Sequence, residues 1–327
     1  MHMADALISP AVGGIFWSAS MTAVARSSRK VQQDLDGSRI PLMGVLAAFV
    51  FAAQMINFSI PGTGSSGHLG GSLLLAILLG PDAALLAIAS VLVVQALFFA
   101  DGGLLALGCN IFNLGFLPAF VAYPLVYRPL AAGSDGRLRQ TLAVLLGALA
   151  ALQLGAFGVV LETVLSGRTD LPFRGFLLVM QPIHLAIGVV EGMVTLALLT
   201  FLRKARPELP QLAGPGGVTR RAAVALGLLA LLLGGWVAWY ASKHPDGLEW
   251  AIQRIAGQQA LPPAVGGWHG RLAQVQAGTA VLPDYHFRGS REGSRAATSL
   301  AGVAGGLLTL LLVAGTGWIL HLRKRRT

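Results

Sequence analysis

The stretch "DAALLAIASVLVVQALFFA", residues 82–100, decides the class of fold, because it carries a single charged side chain in 19 residues. A transmembrane helix needs about 20 mostly apolar residues to cross the hydrocarbon core of a bilayer. The whole chain repeats this character: of 327 residues, 54% are hydrophobic and 12% are charged, against about 25% charged in an average soluble domain. The 42 glycines fit the same class, since small residues let helices approach closely in lipid. The sequence therefore predicts an all-α integral membrane protein.

Apolar segments recur along the chain and predict about nine transmembrane helices. The third segment is short, which leaves a partly re-entrant segment as its alternative. Seven predicted spans precede a stretch rich in Pro and Gly, and two follow it. We therefore expect a seven-helix unit at 1–205, a cytoplasmic linker at 206–217 and a two-helix accessory domain at 218–327. The predicted spans lie at 7–25, 41–60, 67–80, 82–100, 104–127, 141–165, 173–202, 220–241 and 298–320.

The positions of the basic residues predict how the protein is oriented. The net charge of +10 comes from clusters at the ends of apolar segments, which favours the positive-inside rule over a nucleic-acid-binding surface. With nine spans, all four clusters lie on one face, which is then cytoplasmic. The amino terminus is expected outside and the carboxyl terminus inside, with the polar loop 242–296 and the loop before His68 outside. The clusters lie at 26–39, 128–139, 203–221 and 323–326.

The first residues, "MHMADALISP" at 1–10, suggest metal chemistry. No positive charge precedes Arg26, unlike the start of a secretory signal, so we expect this opening to be retained, with the bulky His2 keeping Met1 in place. An α-amine can lose its proton near neutral pH when a metal competes. The Met1 amine, the His2 amide nitrogen and His2 Nδ1 would then form two fused chelate rings in one plane, and His68 could fill the fourth corner.

Planar nitrogen coordination of this kind suits Ni(II) or Cu(II), and cobalt is possible. Calcium and magnesium prefer oxygen ligands. The structural alternative stays open: His2 is then an accident of position, and His68, in the glycine-rich "GTGSSGHLGG" at 62–71, is a loop histidine bonded to the backbone. The single cysteine, Cys109, excludes an internal disulfide framework and a multi-cysteine metal cluster.

Polar residues within the predicted spans are candidates for a supporting role. Gln95, Asn110 and Asn113 could orient His2 or His68 through a ring nitrogen, or could hold helices together as amides often do in membranes. His184 and Glu191 are seven residues apart and share a helical face. Ionisable residues inside a membrane are usually functional, so they could serve the metal route or a coupling partner. A structural polar contact is the alternative.

The remaining charged and histidine side chains on the outer side have simpler expected roles. Asp101 and Glu162 lie near the outer ends of predicted spans, where water can solvate them. His244, His269 and His286 lie in the loop 242–296 at a spacing that matches no metal-ligand signature. We expect these three histidines to be solvated or locally bonded.

Several ordered motifs resemble the substrate-binding membrane component of the cobalt/nickel energy-coupling-factor transporters, the CbiM/NikM family. The "HPDGLEW" segment at 244–250 resembles the marker of the small companion subunit of that system, here fused as a PDGLE-type accessory domain. The resemblance implies that Met1, His2 and His68 hold the ion at the outer mouth of the bundle. The motifs of the first part are "MHMADALISP", "NFSIPGTGSSGHLGG", "QALFFADGGLLALGCNIFNLG" and "HLAIGVVEGMVT".

The same resemblance implies partners, namely a transmembrane coupling (T) component and cytoplasmic ATPase subunits. No phosphate-binding loop of the form GxxxxGK[ST] occurs in the chain, so ATP hydrolysis is expected in those other chains. We therefore predict that the chain is the substrate-binding component of an ABC importer for Ni²⁺ or Co²⁺ in the bacterial inner membrane. The imported metal is expected to supply cobalamin biosynthesis. The metal is cargo, and neither enzymatic activity nor a resident cofactor is expected. The alternatives are an intramembrane metalloenzyme, although no HExxH motif is present, and a vitamin-specific component of the same transporter class.

Overall fold

Long helices make up most of the protein. The computed structural model describes residues 1–34, 40–133, 136–205, 220–257, 266–289 and 294–324, so the predicted linker at 206–217 lies outside the described residues. The first part of the chain forms α1 (Pro10–Asp34), α2 (Ile40–Gln54), α3 (Ser72–Leu79), α4 (Pro81–Phe99), α5 (Leu107–Ile111), α6 (Arg128–Ala131), α7 (Arg137–Ser166) and α8 (Phe173–Ala205). The second part adds α9 (Arg220–Gly235), α10 (Gly247–Ala256), α11 (Gly267–Thr279) and α12 (Arg295–Lys324).

The described part of the chain contains five helices that are long and apolar enough to cross a membrane: α4, the helix from Leu107 to Ala131, α7, α8 and α12. Two shorter apolar helices, α2 and α9, accompany them. The chain is therefore a mostly helical membrane protein, as predicted. The count of nine spans and the orientation of the termini stay predictions.

The third predicted span, 67–80, is wrong as a continuous helix. Only Ser72–Leu79 is helical there, and eight residues rise about 12 Å, far less than the roughly 30 Å of a hydrocarbon core. Residues Ser72 to Leu78 are all buried, so α3 packs inside the bundle. The α1 helix has 25 residues, yet it is not among the helices apolar enough to count as a candidate span.

The helix from Leu107 to Ala131 changes its winding along its length. Between α5 and α6, residues Phe112–Tyr127 form a π-helix that contains Pro118 and Pro124. Proline lacks an N–H and cannot complete the α-helical hydrogen-bond ladder, which accounts for the wider winding around these two positions. The inner face at the start of this helix carries two buried amides, Asn110 and Asn113.

A small hairpin leads into the loop that carries His68. Strand β1 (Phe58–Ile60) pairs antiparallel with β2 (Ser65–Gly67), with Phe58 opposite Gly67 and Ile60 opposite Ser65. The hairpin turn uses positive φ at Gly62 and Gly64, a conformation that glycine adopts without strain.

In the accessory part, α9 and α12 pack against α2 and against each other. Gly302 on α12 lies directly on the backbone of Gly234 on α9, where a Cβ would overlap the neighbouring carbonyl. A Cβ at Gly305 would likewise overlap the ring of Phe51 on α2. Small residues at these crossings allow the close approach that membrane helices need in order to pack.

The segments between α9 and α12 cover the end of the bundle where the chain begins. Trp250 Nε1 donates to the Thr63 carbonyl at 3.0 Å, and Gln276 Nε2 donates to the Gly102 carbonyl at 2.7 Å. Ser66 N–H donates to the Pro245 carbonyl at 2.8 Å. The "HPDGLEW" segment therefore lies directly against the hairpin that precedes His68.

Candidate metal centre

The first residues of the chain are buried inside the bundle. Met1 is 6% exposed and Met3 is fully buried. Asn110 bonds the main chain of Met3 twice: its Oδ1 accepts from Met3 N–H at 2.8 Å, and its Nδ2 donates to the Met3 carbonyl at 3.2 Å. Gly103 N–H donates to the same carbonyl at 2.9 Å. These contacts hold the chain start against the beginning of α5.

The α-amine of Met1 lies next to His68. The amine nitrogen is 3.1 Å from His68 Nε2, and both groups are buried. Two nitrogen ligands on adjacent corners of a planar complex, each about 2.0–2.1 Å from the ion, would be roughly 2.9 Å apart. The amine and the imidazole nitrogen are thus already close to the spacing of adjacent ligands.

Asp246 from the accessory part contacts the same amine. Its Oδ2 accepts from the Met1 nitrogen at 2.6 Å, forming an ion pair. Its Oδ1 accepts from the backbone of Leu248 and Glu249, at 2.9 and 2.8 Å, and so caps the first turn of α10. The helix cap uses Oδ1 and the ion pair uses Oδ2, so Asp246 of the PDGLE motif can form both at once.

His2 lies beside His68 but is not in chelating geometry. The two rings stack with centroids 4.9 Å apart and planes 6° apart. His2 Nδ1 is 3.1 Å from Asp101 Oδ1, and Asp101 also accepts from the hydroxyl of Tyr285. Because a carboxylate only accepts, Nδ1 carries the proton in this arrangement. A chelate ring through Nδ1 requires the imidazole to turn away from Asp101.

His68 presents a lone pair toward the amine. Its Nδ1 lies 3.0 Å from the Leu69 carbonyl, which accepts only, so Nδ1 bears the proton and Nε2 is free to act as a ligand. Burial, together with the charge of the nearby α-amine and His2, lowers the pKa of His68 to about 3. The imidazole is therefore neutral at physiological pH, which is the form that binds metals.

Buried polar groups from three helices fix the loop after His68. Both carboxylate oxygens of Glu191 accept backbone N–H groups, from Gly70 at 2.7 Å and from Gly71 at 3.1 Å. Gln54 Nε2 donates to the Gly70 carbonyl at 2.8 Å, and Gln95 Nε2 donates to Gln54 Oε1 at 2.9 Å. The position of His68 thus depends on a network that reaches from α2 and α4 to α8.

Two ionised carboxylates flank the site. Burial alone would raise the pKa of Asp101, but His2 and the Tyr285 hydroxyl hold the pKa well below its usual range. Burial also opposes ionisation of Asp246, and the α-amine outweighs it, so the pKa of Asp246 is again well below the usual value. The two negative charges beside neutral His68 favour a cation at this place.

A small cavity of about 10 Å³ adjoins the amine and the imidazole. Its lining includes Met1, His68, Asp246 and His184. Such a volume is about what one water molecule occupies. In the described part of the chain, no three His, Cys, Asp or Glu side chains form a group that could hold a metal ion, so an ion bound here would depend on main-chain nitrogen as well.

Several supporting residues differ from the sequence predictions in what they contact. Asn110 bonds the main chain of Met3, and Asn113 Nδ2 donates to Glu162 Oε2 at 2.7 Å, so neither amide takes the expected contact with an imidazole nitrogen. Glu162 is fully buried, because that amide and the bundle enclose it, and the prediction of a solvated group is wrong. Gln95 acts on the His68 loop through Gln54.

Contacts that join distant parts of the chain were not predicted. Asp101 is paired with His2 and Tyr285 instead of being simply solvated. His269 is buried and its Nε2 lies 2.8 Å from the Ile8 carbonyl, which is a distant contact and not a local one. The ion pair of Asp246 with Met1 was missed as well, and the only signal for it was the family marker that contains this aspartate.

The fold is that of a helical membrane protein, and at the start of its chain the Met1 amine, His68 and Asp246 lie together in the interior. Residues 2–209 match the family model for the cobalt uptake substrate-specific transmembrane region, CbiM, and residues 220–322 match the PDGLE domain. The chain belongs to the CbiM family. It is a nickel/cobalt transport component of the CbiM/NikMN type, with the PDGLE domain following in the same chain.

Similar proteins cover the chain almost completely. It is 33% identical to the fused nickel transport protein NikMN of Rhodobacter capsulatus, over 99% of this chain and 98% of that protein. It is 31% identical to a putative fused nickel transport protein NikMN of Archaeoglobus fulgidus, over 95% and 96% of the two chains. A solved structure of a transition metal transporter is similar with a TM-score of 0.55 at 32% identity, covering 64% of this chain and 95% of the other.

Proposed function

We propose that this chain is the substrate-binding membrane component of an energy-coupling-factor ABC importer, and that Met1, His2 and His68 capture Ni²⁺ or Co²⁺. The observation that carries the proposal is the buried contact of 3.1 Å between the Met1 nitrogen and His68 Nε2. These groups have almost the spacing of adjacent metal ligands, and one of them exists only at the start of a chain. The two fused relatives matched over nearly their full lengths are named for nickel, which favours Ni²⁺ over Co²⁺.

Binding requires the groups at the chain start to rearrange. The amine gives up one proton and its contact with Asp246, and the His2 amide nitrogen gives up another. The His2 ring turns so that Nδ1 faces the ion, and its proton is carried on Nε2 instead. Asp101, which lies beside this ring, then accepts that N–H and orients the bound imidazole, as carboxylates commonly do behind metal-bound histidines.

In the proposed transport cycle, the two parts of the chain and the partner proteins have separate roles. Residues 1–205 form the metal-binding unit and residues 218–327 the accessory domain, joined by the cytoplasmic linker 206–217. The site faces the outside of the bacterial inner membrane, and the carboxyl terminus lies inside. A transmembrane coupling protein and ATPase subunits reshape or tilt the metal-binding unit so that the ion leaves inward. Support comes from the basic clusters on one predicted face and from relatives named as transport proteins.

A removable amino-terminal extension tests the proposal. The full chain is produced with a short tag before Met1 that a protease removes without leaving extra residues. Extension converts the amine into an ordinary amide, which breaks the five-membered chelate ring and removes the anchor that lets the metal displace the proton of the His2 amide. Nickel binding, followed by calorimetry in detergent, is expected to be absent before cleavage and restored after it, with the same folded protein as its own control. Full binding by the tagged chain would overturn the chelate.

A further inference from the structure

His184 is a buried histidine, and one of its ring nitrogens has no hydrogen-bond partner among the described residues. It is 1% exposed, and its Nδ1 lies 2.8 Å from the Met180 carbonyl one turn earlier on α8. Because a carbonyl only accepts, Nδ1 carries the proton and Nε2 keeps its lone pair. Within the described parts of the chain, Nε2 has no hydrogen-bond partner. A buried acceptor without a partner costs free energy, so its presence at this place needs an explanation.

The unpartnered imidazole borders the cavity beside the proposed chelate. Met1, His68, Asp246 and His184 all line this cavity. Gly247, which follows Asp246 in the accessory motif, lies against the edge of the buried His184 ring that carries Cε1 and Nε2. A Cβ at position 247 would lie 3.0 Å from His184 Cε1 and 3.3 Å from Nε2. The glycine therefore keeps this edge of the imidazole free of a covering side chain.

We propose that His184 and His68 form a second, transient metal site behind the amino-terminal chelate, through which the ion leaves that chelate. Both are neutral imidazoles with Nε2 available, the ligand type that Ni²⁺ and Co²⁺ accept. His68 stays bound while Nε2 of His184 replaces the nitrogens of Met1 and His2, and water completes the coordination. The displaced amine and amide take up the protons that they released on capture. This inference rests on the proposed function.

A bound water molecule is the other occupant that would satisfy Nε2. A buried water typically makes about three hydrogen bonds, and His184, His68 and Asp246 could supply partners. A water at this place would make His184 a structural residue, whose loss affects folding and equilibrium binding but not specifically the movement of the ion. A structural role for His184 therefore predicts a change in equilibrium nickel binding, whereas a role as a transient ligand predicts a change in the rate of nickel uptake.

The test compares His184→Ser with His184→Cys in the full chain, expressed with its own coupling and ATPase proteins. His269→Ser is the control for loss of a buried histidine, because that ring bonds the Ile8 carbonyl and does not line the cavity. For His184→Ser, the uptake rate of radioactive nickel is expected to fall about 10- to 100-fold, while equilibrium nickel binding stays at the wild-type level. The Cys variant is expected to recover part of the uptake, because a thiolate is also a metal ligand.

Wild-type uptake by His184→Ser, or Ser and Cys variants that fail equally in binding and in uptake, would overturn the inner site. A wild-type chain that neither binds nor takes up nickel or cobalt would instead refute the proposed function. Copper-catalysed oxidation of the unmutated chain, read by mass spectrometry, gives a second measurement that does not depend on variants. Oxidation of His184 together with His2 and His68 supports the site, and oxidation that spares His184 contradicts it.

Discussion

Replacing Glu191 by Gln should weaken nickel binding although Glu191 does not touch the proposed ion site. The carboxylate is 2% exposed, and its two oxygens accept from Gly70 at 2.7 Å and Gly71 at 3.1 Å. A glutamine has one oxygen, so one buried N–H would face an NH₂ group and lose its partner. Leaving such a donor unpaired costs about 1–3 kcal/mol.

That cost acts on the loop that places His68. The free loop can relieve this cost by shifting, and metal binding must then restore its position. Each 1.4 kcal/mol is about tenfold in an equilibrium constant, so nickel affinity should fall about tenfold to a hundredfold. Glu162→Gln is the matched control. Glu162 is also fully buried, but it bonds Asn113, and a glutamine oxygen can accept the same bond. Calorimetric titration of both variants in detergent measures the difference. Equal affinities for the two variants would refute the role of Glu191 in positioning His68.

Three further predictions follow from the geometry of the site. His68→Ala should weaken nickel binding less completely than the amino-terminal extension, since three nitrogen donors remain; a chelator competition assay that ranks the two the other way would contradict the ligand assignment. Nickel affinity should fall between pH 7.5 and 5, because protons compete with the ion at the α-amine and at His2. The pKa of His68, about 3, lies below this range, so nickel affinity of His68→Ala should depend on pH as steeply as that of the wild type. A nickel affinity of His68→Ala that does not change with pH would contradict this prediction. Asp246→Asn should retain the cap of α10 and lose the ion pair, whereas Asp246→Ala should cost about 1 kcal/mol more through loss of the cap; equal thermal stability of the two variants would argue against a capping role.

The apolar runs were sufficient to predict the helical class and the long spans, because a helix that crosses a bilayer needs about 20 mostly apolar residues in a row. The same rule failed at 67–80. There Gly71 takes a positive φ of 77°, and Glu191 bonds the backbone of Gly70 and Gly71, so the apolar run begins as a loop. A contact made by a residue 120 positions away leaves no local pattern in the loop itself.

The chemistry of the chain start suggested a chelate with His68 in its fourth corner but left a structural role for both histidines open, and the resemblance to the CbiM/NikM family was what pointed to Met1, His2 and His68 as the ligands. The carboxylates that surround these residues were not predictable in this way. Asp246 reaches Met1 from 245 positions away, and the Tyr285 hydroxyl reaches Asp101 from a separate segment. Both contacts depend on how the outer segments of the accessory part dock on the bundle, which no periodicity in the sequence encodes.

X-ray absorption spectroscopy of the full chain loaded with one equivalent of nickel tests the central claim most directly. We expect a planar set of four nitrogen ligands, two of them imidazoles, with one imidazole contribution lost in His68→Ala. A six-coordinate, oxygen-rich nickel centre that is unaffected by His68→Ala would show that the chain start does not hold the ion.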